Sequence, residues 1–134
     1  MQITRQADYA VRAVLYLAQL GPNEKASTSQ IAEEKDIPLS FLAKIIAQLS
    51  VAGLLQTMRG ARGGVMLARP PEEVNLLEVI EAIDGPILVN ECVSDSYDCS
   101  QHSCPMRGIW QETQSTLVNR LKSTTFDQFT GEES

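Results

Sequence analysis

The chain has 134 residues, a length that suits one domain with a modest core, and 43% of them are hydrophobic. No apolar run approaches the roughly 18 residues of a membrane-spanning helix. Polar Gln2, Arg5, Gln6 and Asp8 break up the start, where a signal peptide would need an apolar stretch, so a cytoplasmic protein with no membrane partner is expected. The net charge of −6 argues against a polyanionic partner only until it is divided. Residues 1–70 hold eight Lys and Arg against five Asp and Glu, a charge of +3, whereas residues 71–134 hold three against twelve, a charge of −9. A basic front half can meet phosphate while an acidic back half faces away.

Thr4 is placed to cap a first helix running to about Leu20, with Tyr9, Ala13, Leu17 and Leu20 at helical spacing and Gly21-Pro22-Asn23 ending it. Ser27-Thr28-Ser29-Gln30 has the form of a capping box and opens a short helix to about Lys35. Asp36-Ile37-Pro38 makes a turn. Leu39 or Ser40 then starts another helix through Phe41, Leu42, Ile45, Ile46 and Leu49, which Gly53 stops. Short helix, tight turn and longer helix make a helix-turn-helix over residues 28–51. The outer face of the second helix carries Ser40, Ala43, Lys44, Ala47 and Gln48 and no acid, as an element entering the major groove of double-stranded DNA requires. Ser40, Lys44 and Gln48 are the candidates for bases or phosphates there.

Leu54–Met58 and Val65–Ala68 read as two short strands, a wing over residues 54–68. Between them lies Arg59-Gly60-Ala61-Arg62-Gly63-Gly64. Glycines let backbone come close to a ligand, and Arg59 and Arg62 suit phosphate or the narrow minor groove. A phosphate-cradling P-loop is excluded, because no Gly-Lys-Ser/Thr follows and no helix opens there. Arg5 is a further phosphate candidate. Asn75, with Glu78 three residues on, caps a short apolar helix through Ile83 that Gly85-Pro86 closes. Pro105 suits the first turn of a last helix, whose stripe of Ile109, Trp110, Thr113, Leu117, Val118 and Leu121 has little left to pack on in its own chain. It reads as a dimerisation helix over 105–123, giving a homodimer on a two-fold DNA site, with packing back on the first helix of the same chain as the alternative. Residues 124–134 read as a polar tail, mobile at its end.

All three cysteines, Cys92, Cys99 and Cys104, lie within thirteen residues, and an odd number does not close into internal disulfides. Their neighbours Asp95, Asp98, Gln101, His102 and several serines cannot pack a core. Zinc sites favour cysteine pairs two to four residues apart. Six and four residues separate these, which suits a larger body such as an iron–sulfur cluster. A zinc site or a thiol–disulfide switch on the same residues stays open. Three thiolates leave one position for His102, a carboxylate, water or a group from elsewhere. No nucleophile–base pair stands out and His102 is the only histidine, so an enzyme is not expected.

Read together, these marks resemble the bacterial winged-helix iron–sulfur transcription regulators that include IscR and NsrR. The resemblance rests on the opening Met1-Gln-Ile-Thr-Arg-Gln-Ala-Asp-Tyr-Ala-Val-Arg12, the helix Leu39-Ser-Phe-Leu-Ala-Lys-Ile-Ile-Ala-Gln-Leu49, the wing with Arg59-Gly-Ala-Arg-Gly-Gly64, and three cysteines before a long helix. It implies a mainly α fold, a winged helix-turn-helix with a small two-stranded wing and a long C-terminal dimerisation helix, as one domain over residues 1–134. It also implies a dimeric repressor whose DNA affinity depends on a 2Fe–2S or 4Fe–4S cluster held in a loop over residues 90–105. Such a cluster would report iron–sulfur status, redox state or nitric oxide. Where IscR places its ligating histidine, three residues past the last cysteine, this chain has Arg107, which cannot ligate. The resemblance to NsrR instead implies a site of Cys92, Cys99 and Cys104 with Asp8 from the partner subunit.

Overall fold

The computed structural model describes residues 2–21, 23–60, 63–90, 93 and 105–130. Helix α1 (Arg5–Leu20) begins where the Thr4 hydroxyl accepts the amide of Ala7, 3.1 Å away. The same hydroxyl donates to the carboxylate of Asp84, so one side chain caps α1 and ties it to a distant helix end. Ala7, Ala10, Ala13, Val14, Leu17 and Ala18 form the buried face of α1. Small residues at most of these positions let neighbouring helices approach its backbone closely, and α1 is the central element of the fold.

Helix α2 (Thr28–Lys35) starts at Ser27, whose Oγ accepts the Gln30 amide at 3.0 Å. It ends at Asp36, which adopts the left-handed conformation with φ 52° and turns the chain sharply. Helix α3 (Leu39–Val51) follows after Ile37 and Pro38. Ile31, Ile37, Leu42, Ile45 and Leu49 are buried between and beneath the two helices. Gly53, at φ 80°, closes α3 and sends the chain into the hairpin. Phe41 lies on the flank of the apolar stripe and stays 45% exposed, its ring 6.5 Å from that of Tyr9 on α1.

The wing consists of β1 (Leu55–Met58) and β2 (Gly64–Leu67), antiparallel in the register Leu55 to Leu67 and Met58 to Gly64. Each strand is shifted by one residue from its expected start. Leu54 gives its amide to Leu49 O to finish the α3 turn, and its carbonyl accepts from Ala68 N. Gly64 joins the ladder because it has no side chain: a Cβ there would stand 3.0 Å from the carbonyl oxygen of Ala26. Ala26 and Val65 exchange backbone hydrogen bonds of 3.0 and 2.7 Å, which pins the wing to the linker before α2.

A short 3-10 turn (Pro71–Glu73) leads to α4 (Leu76–Asp84), whose N-terminus carries the full capping box. Asn75 Oδ1 accepts from Glu78 N at 2.9 Å, and Glu78 Oε2 accepts from Asn75 N at 3.2 Å. The other oxygen of Glu78 holds the Arg69 guanidinium at 3.0 Å, anchoring the chain that leaves the wing. Gly85 ends α4 with φ 77°.

Helix α5 (Arg107–Lys122) corrects two expectations. Pro105 stands before the helix and not in its first turn, because the first intrahelical acceptor is the Met106 carbonyl, which takes the Trp110 amide at 3.0 Å. The apolar stripe is also divided. Leu117, Val118 and Leu121 pack on Ala7, Leu77, Ile80 and Ile87 of the same chain, whereas Met106 and Ile109 are 43% and 51% exposed. Residues 123–130 are not a free tail; residues 131–134 of the expected tail lie outside the described residues. Thr125 bridges to Asn75, Phe126 N donates to Val74 O at 3.1 Å, and a 3-10 turn (Phe126–Phe129) buries Phe126 in the main core. Among the described residues, no helix is long and apolar enough to cross a membrane.

Candidate nucleic-acid interface

The outer face of α3 takes its form from the helix period. With Leu42, Ile45, Ile46 and Leu49 committed to the core, Ser40, Ala43, Lys44 and Ala47 are exposed on the opposite side. Gln48 is half-buried, at the edge of that face. The first turn of α3 holds no acid and its Pro38 cap makes no side-chain hydrogen bond, so neither offsets the positive end of the helix. Small side chains at Ala43 and Ala47 leave the flanking Ser40 and Lys44 free to reach further than the helix surface.

At the wing, Arg59 follows β1 directly and is exposed; Arg62 lies outside the described residues. The turn geometry depends on glycine at two places. Gly60 has φ 102°, and Gly63 donates to its carbonyl at 2.9 Å. A Cβ on Gly63 would fall 2.2 Å from the carbonyl oxygen of Met58, a distance that no real contact allows. The tip can therefore fold back on β1 only with glycine at 63. Among the described residues the ion pairs are Arg12–Asp8 and Arg69–Glu78, so Arg5, Lys44 and Arg59 carry charge that no acid neutralises. Arg5 is exposed at the start of α1, apart from the α3 face and the wing in sequence but on the helix that packs against α3.

The expected metal ligands divide differently. Cys92, Cys99, Cys104 and the rival ligand His102 all lie outside the described residues. Asp8 is in the first turn of α1, its side chain 51% exposed, with the Arg12 guanidinium 2.8 Å away. It lines an open depression of about 550 Å³ together with Gln2, Ile3, Thr4 and Arg5. Among the described residues, no group of three or more His, Cys, Asp or Glu is placed to hold a metal ion.

Two features escaped the sequence reading. Gln114 on α5 grips the backbone just before the cysteine segment: its Oε1 accepts from Val89 N at 2.9 Å and its Nε2 donates to Ile87 O. A Gln on a helix gives no signal of this, since its partners lie 25 and 27 residues away. The second is the contact set Asp8, Arg12, Tyr9 and Phe41. The guanidinium of Arg12 lies 5.6 Å from the centre of the Tyr9 ring, and that ring meets Phe41 at the start of α3.

A helix-turn-helix with an acid-free outer face, followed at once by a glycine-turned hairpin bearing an exposed arginine, is the reading head of a winged-helix transcription regulator. The chain belongs to the Rrf2 family: residues 3–132 match the family model, described as an iron-dependent transcriptional regulator. It is 31% identical over 127 residues to the HTH-type transcriptional regulator NsrR of Shouchella clausii, covering 93% of this chain and 85% of that one. The NsrR of Halalkalibacterium halodurans is 30% identical over 136 residues, covering 99% and 93%. Among solved structures, IscR of T. potens superposes with a TM-score of 0.78 at 26% identity, covering 99% of this chain and 89% of that one. CymR, the global cysteine regulator of B. subtilis, gives a TM-score of 0.84 at 22% identity over 100% and 99%, a likeness of fold. The protein is thus a DNA-binding transcriptional regulator and not an enzyme.

Proposed function

We propose that the protein is a cytoplasmic homodimeric repressor whose hold on operator DNA is set by an iron–sulfur cluster. The observation that carries this reading is the crowding of Cys92, Cys99 and Cys104 into thirteen residues between the reading head and α5, in a chain of this family. The three thiolates would hold the cluster, and Asp8 of the partner subunit would supply the fourth donor. Asp8 fits that role in its surroundings: its carboxylate is half exposed on an open depression, and Arg12 is its one ion-pair partner among the described residues. The donor set also fits, since thiolates are the usual ligands of such clusters and a carboxylate, being harder, binds less firmly. When bound, the cluster supplies an inorganic centre that changes with oxygen, nitric oxide or iron supply.

The chain's own residues would carry that state to DNA. Gln114 fixes the backbone at Ile87 and Val89, so the root of the cysteine segment moves with α5. The exposed Met106 and Ile109 at the start of α5 form the seam between two copies, with α5 as the dimerisation helix. Any change in how the segment holds this seam alters the spacing of two α3 helices, and two half-sites must be met at once. Ser40, Lys44 and Gln48 read the major groove, Arg59 and Arg62 meet phosphate or minor groove, and Arg5 meets phosphate.

Anaerobic purification followed by assay of iron, sulfide and visible absorbance tests the proposal. Coloured protein with iron and acid-labile sulfide is expected. Zinc in place of iron, or binding that follows reductant alone, would move the reading to a zinc site or a thiol–disulfide switch. Arg59→Ala is expected to cost about 1–3 kcal/mol of operator affinity if it reads a base, or to lower the salt slope by about one if it touches only phosphate. Unchanged affinity and slope would remove Arg59 from the interface.

A further inference from the structure

We infer that Leu39 selects thymine: its side chain meets the 5-methyl group of a thymine in the major groove and so sets the base at one position of each half-site. The inference rests on the reading of α3 as the helix that enters the groove, given above. Among the described residues, four of the seven large apolar side chains that face solvent belong to the helix-turn-helix and wing: Leu39, Phe41, Val51 and Met58. Leu39, 52% exposed, is the first residue of α3 and stands beside the candidate Ser40. The N-terminal turns of a recognition helix are the ones that contact base edges, so a leucine there is stripped of water when DNA binds. Phe41 differs, because its ring is turned toward Tyr9 of α1. Val51 differs too, since it ends α3 about three turns away.

The helix period divides the outward face of α3 lengthwise. Leu39, Ala43 and Ala47 follow one another at intervals of four along one side and are all exposed, whereas Lys44 and Gln48 run along the other. The first side is hydrocarbon alone. Among the groups by which the major groove distinguishes base pairs, the thymine methyl is the apolar one; the others are hydrogen-bond donors and acceptors. A leucine pressed on an amino group or a ring nitrogen takes away its water and returns no hydrogen bond, which costs binding. Pressed on a methyl group, the same side chain removes apolar surface from water on both partners. The short Ala43 and Ala47 place no longer side chain between that edge of the helix and the bases. Discrimination at this position therefore works both ways, by attraction to thymine and by a penalty against the other bases.

The test uses a duplex that the wild type selects from a random-sequence pool. Its thymines are replaced by deoxyuridine one position at a time, in both half-sites together, which removes the methyl and keeps every hydrogen-bonding group. Affinity is titrated for the whole anaerobically purified protein, beside Leu39→Ala and Val51→Ala, each checked for wild-type circular dichroism. At one position the wild type is expected to bind the deoxyuridine duplex about tenfold more weakly, the effect of two methyl groups left in water. Leu39→Ala is expected to bind the thymine and deoxyuridine duplexes within about twofold of each other, while Val51→Ala keeps the wild-type difference. The inference is overturned if no thymine methyl affects wild-type binding, or if Leu39→Ala retains the full loss. Ser40→Ala and Lys44→Ala separate this failure from a deeper one. If either weakens binding while no methyl matters, the inference alone falls; if both bind as the wild type does, α3 is not in the groove and the underlying reading falls with it.

Discussion

Gly63 shows how a single hydrogen in place of a methyl group decides the shape of the wing. A Cβ at that position would overlap the Met58 carbonyl at 2.2 Å, so Gly63→Ala must push the turn away from β1. Overpacking of this kind costs about 1–3 kcal/mol. The substitution is expected to weaken operator binding about tenfold while leaving the helical core folded, as circular dichroism beside a DNA titration would show; wild-type affinity would mean the wing tip does not meet DNA. Gln114 is the corresponding residue at the other end of the molecule. Each hydrogen bond it makes to Ile87 and Val89 contributes about 0.5–1.5 kcal/mol net. Gln114→Ala is expected to lower thermal stability by a few degrees and to speed amide exchange at Val89. Unchanged exchange at that amide would show that something else anchors the root of the segment. The two sites also mark how far residues could be read directly. Glycines between two short strands announce a turn, because the requirement is local. Gln114 announces nothing, because its partners are brought to it by the packing of α5 on α4.

At the scale of elements, the helix ends were legible for the same local reason. Thr4, Ser27 and Asn75 each cap a helix within three residues of their own position, and the structure places all three as caps. The box at Asn75 has a further consequence, since Glu78 serves both the cap and Arg69. Asn75→Ala is therefore expected to cost about 1 kcal/mol in chemical denaturation, and a variant as stable as the wild type would show that the bridge from Asn75 to Thr125 alone holds this end of α4. Less legible was what each apolar stripe packs against. Period alone did not say how α5 would be shared between its own chain and a second copy. In the structure, Phe41 sits at the edge of the buried face, and the second half of α5 is used by Ala7, Leu77, Ile80 and Ile87. Phe126 and Phe129, alone among polar neighbours, gave too short a pattern to read, yet Phe126 docks the segment after α5 to the core.

For the whole molecule, the division of charge is the feature that organises the rest. The +3 half carries the helix-turn-helix and the wing, and the −9 half carries the cysteines and α5, so the reading head and the proposed sensing segment are separated along the chain. In the proposed dimer, the exposed apolar Met106 and Ile109 at the start of α5 would connect this arrangement to a two-fold operator. Ile109→Lys is expected to shift the protein toward monomer in sedimentation and to weaken binding to a full operator much more than to a half-site; a dimer of wild-type strength would place the seam elsewhere. The central claim, that the cysteine segment controls the reading head through iron, is tested most directly by one comparison. Operator affinity is titrated anaerobically for the wild type and for Cys99→Ser, each before and after iron chelation. Chelation is expected to change wild-type affinity by about tenfold or more, within the usual range of allosteric coupling, and to leave Cys99→Ser unchanged. Equal affinities for the wild type with and without iron would contradict the account.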